Sequence, residues 1–310
     1  MKFLLLAGVV LAAAALLYGA LHKGPSASTE KEAFNFDSLP QYHHLPPLLT
    51  FKARDGEILS YCLYGHSDRN LMLLLHGSSG HGANLDGFAK KMAQEATVCV
   101  PTARGHCKSG SKPGTCSYVG QLEDDLADLL NHLNAQNYQF KSMVGFSSGG
   151  SLAIRFSGGK YGNLVDCYAL LAPVVPAYKP LTRQGSNWVR VNYIRIPLLV
   201  IANMLGLTCF NQATVITFNR PRSRNDGTET LSYSYNLLFS MNPRFDYLQD
   251  IASIDGRSIV IGGRNDECLI VDAYKDLFKK SPIYIFDDLN HFALVSDPRV
   301  LEKVREFCIR

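Results

Sequence analysis

The stretch FKSMVGFSSGGSLAIRFSGG, residues 140–159, constrains the fold more than any other. A short apolar run meets a tight Gly/Ser turn at Gly145–Gly150, and a helix follows without a linker until Gly158-Gly159 stops it. Gly149 and Gly150 have no Cβ, so that helix can begin hard against the end of the strand. Ser147 stands at the centre of the turn, in the pattern G-x-S-x-G, where a strand-turn-helix context exposes a serine hydroxyl as a nucleophile.

The rest of the chain repeats this strand-then-helix rhythm. LLTFKARDGEILSYCLYG reads as two β segments around a turn at Asp55-Gly56. NLMLLLHGSSG is a continuous apolar run closed by a Gly-rich turn, which suits a strand buried on both faces. A helix at NLDGFAKKMAQE and a strand at ATVCVPTARG follow. LEDDLADLLNHL then places Leu122, Leu126, Leu129, Leu130 and Leu133 on one helical face. LVDCYALLAP, RSIVIGGRNDE and SPIYIFDDLNH supply further strands, and 299–310 a closing helix. The alternation predicts a mostly parallel sheet with helices on both faces. It breaks over 176–246, so the expected organisation is a core of 48–175 and 247–310 with an inserted cap at 176–246.

Two features lie outside that core. Residues 3–21 hold nineteen uncharged, mostly apolar residues after a single Lys. The run exceeds the usual signal-peptide core and is close to the ~20 residues that span a bilayer. Residues 1–21 therefore read as a signal anchor or signal peptide, with length favouring the anchor, and 22–47 as a polar tether. Lys2 before the segment and Lys23 after it lean slightly toward a catalytic domain outside the cytoplasm. A net charge of +4 with no basic run argues against a nucleic-acid partner. The eight cysteines fit no metal spacing, and Cys107 and Cys116 bracket a polar loop that a disulfide could close.

A serine nucleophile needs a general base, and the base needs an acid to orient it. In a strand-turn-helix site the chain order is Ser, acid, His. Eight of the nine histidines precede Ser147, and His291, in DDLNHFAL, is the only one after it. Asp266 closes the strand SIVIGGRN and is the expected acid, because sites in parallel sheets lie at the carboxyl ends of strands. Glu267 is its main rival. Asp255 precedes the strand, and Asp287 and Asp288 suit the turn before His291. The oxyanion would need two N–H donors. Those of Ser148 and of Ser78 in HGSSG are expected, with Gly77 the alternative for the second and His76 bracing the loop.

With LLLHGSSG, RGHCKSG, GFSSGG, GRNDE and LNHFAL, residues 50–310 resemble the α/β-hydrolases, and within them the monoacylglycerol lipase and lysophospholipase-like group filed with the S33 serine aminopeptidases. The chain has TARGHCKS where that group usually has Asp-x-x-Gly-His-Gly-x-Ser, so Thr102 and Cys107 replace Asp and Gly. The resemblance implies a cap over an acyl pocket, no metal and no cofactor. The apolar run 196–210 in the cap suggests an acyl channel or lipid-docking segment, with Leu199 and Leu205 as candidate substrate-binding residues; a buried core helix would read the same way. The expected activity is hydrolysis of an acyl ester, monoglyceride- or lysolipid-like. A peptidase with the same triad and a silent membrane-tethered binding protein are the alternatives.

Overall fold

The structure is a computed structural model that describes residues 34–39 and 44–310. Its centre is an eight-stranded sheet in the order β1-β2-β4-β3-β5-β6-β10-β11. β1 (Leu49–Lys52) and β2 (Ile58–Tyr64) form the expected hairpin, and β2 also runs antiparallel to β4 (Thr97–Pro101). From β4 onward every pairing is parallel, through β3 (Asn70–Leu75), β5 (Phe140–Phe146), β6 (Cys167–Leu171), β10 (Ser258–Gly263) and β11 (Ile283–Phe286). Every residue of β3, β4, β6 and β10 is buried, which is why these strands read as unbroken apolar runs rather than as alternating ones.

Helices cover both faces. α1 (Asp86–Met92) packs with the C-terminal helix α7 (Pro298–Cys308) on one side. On the other lie α2 (Gln121–His132), α3 (Ser148–Gly158), α5 (Tyr235–Met241) and α6 (Tyr247–Ile254). The buried face of α2 carries Leu122, Leu126, Leu129 and Leu130, as its periodicity requires. A buried ion pair, Arg155 Nε to Glu123 Oε2 at 2.5 Å, ties α2 to α3. The register decides where chemistry can occur. Leu75 pairs with Gly145, Phe146 with Leu171, and Gly263 with Phe286, so β3, β5, β10 and β11 all end at one edge of the sheet.

The segment between β6 and α6 has its own small architecture. β7 (Val189–Val191), β8 (Thr214–Phe218) and β9 (Ser232–Ser234) make a three-stranded antiparallel sheet, with α4 (Arg195–Met204) between β7 and β8. The apolar run 196–210 is therefore mostly α4. Its Leu199 is fully buried, while Ile201, Met204 and Leu205 face outward.

One expectation changes, one lies outside the described residues, and one question left open is answered. Residues 34–39, assigned to the tether, are folded onto the domain, because Phe34 and Phe36 bury their rings. The expected anchor, residues 3–21, lies outside the described residues; among those described, no helix is long and apolar enough to cross a membrane. Cys107 and Cys116 are not joined, and all eight cysteines are free. Cys116 Sγ is turned instead onto the Tyr118 carbonyl at 3.4 Å and Ser240 Oγ at 3.5 Å.

Cys107 adopts φ 44°, the left-handed region that costs a side-chain-bearing residue roughly 1–2 kcal/mol. It does so where the related pattern has Gly. Cys107→Gly relieves that strain and loses only about 0.4–1 kcal/mol to greater freedom of the unfolded chain. Urea unfolding should show the variant more stable by about 0.5–1 kcal/mol.

Candidate active site

Ser147 lies between the end of β5 and the start of α3, with φ 55° and ψ −120°. A serine holds so unusual a backbone only where its surroundings over-determine it. Here they do, since Ser147 N–H is tied to the Leu171 carbonyl at 2.8 Å and the glycines on either side admit no alternative. A Cβ on Gly145 would stand 2.4 Å from the Gly149 carbonyl oxygen, and one on Gly149 would stand 2.4 Å from that of Leu75. The G-x-S-x-G spacing is thus a packing requirement: helix α3 is pressed against β3 and β5, and the turn between them pushes the serine out.

The loops after β10 and β11 bring Asp266 and His291 to the same edge. His291 Nδ1 is 2.6 Å from Asp266 Oδ2, and His291 Nε2 is 3.1 Å from Ser147 Oγ. All three residues are at least nine-tenths buried. The carboxylate accepts a hydrogen bond from Nδ1–H, which keeps the proton on Nδ1 and leaves the Nε2 lone pair facing the serine hydroxyl. The other oxygen of Asp266 accepts the N–H groups of Cys268 and Leu269, both at 2.8 Å, so the carboxylate cannot swing away.

The rival acids serve other ends. Glu267 accepts the backbone N–H of His291 at 3.2 Å and that of Asn35 at 3.0 Å, so it anchors the backbone and not the imidazole. Asp255 sits at the opposite end of β10, taking the N–H groups of Lys279, Lys280 and Ser281. Asp287 pairs with Arg264 and Asp288 with Arg299. His76 and His106 are also buried near the site, but both ring nitrogens of each are engaged by groups other than Ser147. Burial holds His76 well below the ordinary histidine pKa and pushes His106 down to about 4. His76 donates Nδ1–H to the Gly77 carbonyl and accepts the Ala103 N–H, which braces the loop.

Ser78 lines the same cleft as Ser147 and His291. Ser148 is the first residue of α3, where backbone N–H groups lack intrahelical acceptors. Its hydroxyl is buried without a hydrogen bond among the described residues. The loop that carries Ser78 is supported by a residue that the linear pattern does not reveal. Tyr233, on β9 of the cap, accepts Ser79 N–H at 2.9 Å and donates to His106 Nε2 at 2.5 Å. His106 is oriented for this by its contact with the Arg104 carbonyl at 3.2 Å. Thr230 N–H donates to the Ser79 carbonyl at 3.1 Å, so the cap clamps Ser79, itself at φ 63°, from both sides.

The cleft is lined by Phe34, Leu39, Phe146, Trp188, Phe292 and Val295 together with polar Ser78, Asn84 and Arg220. Leu199 and Leu205 do not line it. Leu199 is packed into the cap's interior and Leu205 is 71% exposed on its outer surface. Both assignments are corrected on that ground: α4 is apolar on most sides, and the cap's packing decides which side turns inward. Among the described residues no cluster of His, Cys, Asp or Glu is arranged to hold a metal ion.

A parallel sheet with a serine at the strand–helix elbow after β5, an acid after β10 and a histidine after β11 defines a serine hydrolase of the α/β-hydrolase type. The serine aminopeptidase S33 family matches residues 66–223, half of the chain, and the protein belongs to it. Solved structures agree on the fold. A soluble variant of monoglyceride lipase from Saccharomyces cerevisiae superposes with TM-score 0.62 at 14% identity, covering 91% of this chain and 96% of that one. An esterase from Thermogutta terrifontis does so with TM-score 0.57 at 19% identity, covering 84% and 97%. An uncharacterized protein of Mycobacterium tuberculosis is 30% identical over 127 residues, 41% of this chain but only 35% of its own length.

The Tyr233 contact yields a test. Tyr233→Phe removes the acceptor for a buried N–H beside the oxyanion loop, a loss of about 1–3 kcal/mol in stability. The donor loop also loosens, so kcat should fall roughly tenfold with KM changed less, because those donors act mainly on the transition state. Equal effects on both constants would mean that the hydroxyl serves folding alone.

Proposed function

We propose that the protein is a serine esterase that cleaves a hydrophobic acyl ester, monoglyceride- or lysolipid-like, through an acyl-enzyme. The observation that carries the reading is the continuous Ser147–His291–Asp266 contact at the floor of a mainly aromatic and aliphatic cleft. His291 Nε2 takes the Ser147 proton as Oγ attacks the ester carbonyl, and the oxygen that gains charge is met by the N–H groups of Ser78 and Ser148. The tetrahedral species then collapses. The C–O bond to the alcohol breaks, and His291 returns the proton to the departing oxygen. Water repeats the sequence on the acyl-enzyme and releases the acid.

The family's own description raises the aminopeptidase alternative. Holding a peptide's α-ammonium group calls for a carboxylate in the cleft. Among the described lining residues there is none, and the charged side chain present is that of Arg220. This favours an ester over a peptide N-terminus. The outward Ile194, Ile201, Met204 and Leu205 of the cap, with residues 3–21 as a membrane anchor, suit an enzyme that meets its substrate at a lipid surface outside the cytoplasm.

A small alkyl fluorophosphonate should label Ser147 in the wild type and in Ser148→Ala, but not in Ser147→Ala. Each methylene buried by the acyl chain contributes roughly 0.8 kcal/mol at most, so kcat/KM for p-nitrophenyl esters should climb from C2 toward C10. Aminoacyl p-nitroanilides should react far more slowly. Labelling at Ser148 would overturn the elbow assignment, and faster turnover of the anilides would favour the peptidase.

A further inference from the structure

We infer that residues 34–39 are a displaceable strap filling the substrate site beside His291, and that Phe34 sets which acyl esters can enter. The inference rests on the esterase reading above and deepens it. The Phe34 ring stacks on the imidazole of His291, with centroids 4.8 Å apart and planes inclined by 26°. Its other contacts are Trp188 at 4.9 Å and Phe292 at 5.1 Å. Phe34 is 5% exposed and Phe36 3%, values proper to a core and not to a polar linker.

The strap is fastened by polar contacts at several points. Asn35 N–H donates to Glu267 Oε1 at 3.0 Å, and the second oxygen of that carboxylate holds the His291 N–H. Asn290 Nδ2 donates to Ser38 Oγ at 2.9 Å. Asp37 pairs with Arg224, and the Arg220 guanidinium lies 5.4 Å from the centre of the Phe36 ring. Arg220 and Arg224 belong to the cap, whereas Glu267 and Asn290 flank the triad. The strap therefore bridges the cap and the loops that carry acid and base.

With the strap seated, the cavity at Ser147 is about 30 Å³, enough for a water or two and not for an acyl chain. A long acyl chain on Ser147 needs more room than that, and Phe34 and Leu39 line the cleft where it would lie. A two-carbon acyl group asks least of the strap, and a ten-carbon chain asks for its removal. The cost of displacement is thus levied on long esters more than on short ones. A purely structural role would not discriminate between them.

Trp188 is the protein's single tryptophan and touches both Phe34 and Phe36, so it reports on the strap without turnover. In the full chain carrying Ser147→Ala, saturating p-nitrophenyl decanoate is unsuitable because its chromophore absorbs the emission; methyl decanoate and methyl acetate serve instead. Methyl decanoate should shift the Trp188 emission along a saturable curve, and methyl acetate should not. In the active enzyme, Phe34→Ala should raise the ratio of kcat/KM for the C10 ester to that for the C2 ester at least tenfold, with Phe34→Leu falling between. An unchanged or lowered ratio in both variants, or a Trp188 response identical for the two methyl esters, overturns the strap. Failure of the esterase reading looks different: no variant or wild type hydrolyses any ester or takes the fluorophosphonate, while the Trp188 titration still decides whether a long acyl chain moves the strap.

Discussion

The buried contact between Asp266 and the His291 ring is the interaction on which the site depends. At 2.6 Å, inside an apolar shell, it fixes the tautomer of the imidazole and the plane in which it lies. Without it, His291 Nε2 has no reason to face Ser147. Much of the local structure maintains this one contact. The N–H groups of Cys268 and Leu269 hold the carboxylate, Glu267 holds the histidine's backbone, and Phe146 and Phe34 lie against the ring at 4.9 and 4.8 Å. Water is kept from the bond by aromatic faces, and a low local dielectric strengthens it.

The sheet makes that arrangement available. Parallel strands deliver their carboxyl ends to one edge, and β5, β10 and β11 each spend the following turn on a single functional side chain. The cap then acts on the site from above through Tyr233 and Thr230, which grip Ser79, and through Arg220 and Arg224, which meet the strap. Cap and core are therefore joined by directional contacts at the oxyanion loop and at the cleft mouth. A change in the cap has a physical route to the chemistry.

What the linear pattern discloses follows from what it can encode. Unbroken apolar runs betray doubly buried strands, and Gly145 and Gly149 mark the elbow because no other residue fits. A single histidine after Ser147 leaves no choice of base under the Ser-acid-His order. By contrast, Phe34 and Phe36 sit in an otherwise polar stretch with no period of their own, so their burial depends on a pocket made by residues 150 and more positions away. Tyr233 reaches Ser79 across 154 residues, a contact with no local signature. Leu199 and Leu205 illustrate the third limit. A helix apolar on most sides does not say which side the fold will bury, and here the cap buried one leucine and exposed the other.

The account holds that Ser147 and His291 work as one unit held by Asp266. The most direct test is the turnover of an ester by Ser147→Ala, His291→Ala and the double variant, measured under identical conditions with folding checked by circular dichroism. If the unit is real, each single substitution lowers kcat by roughly 10⁴–10⁶ and the double variant is no slower than the worse single one. Losses that multiply in the double variant would show two residues acting independently and would contradict the account.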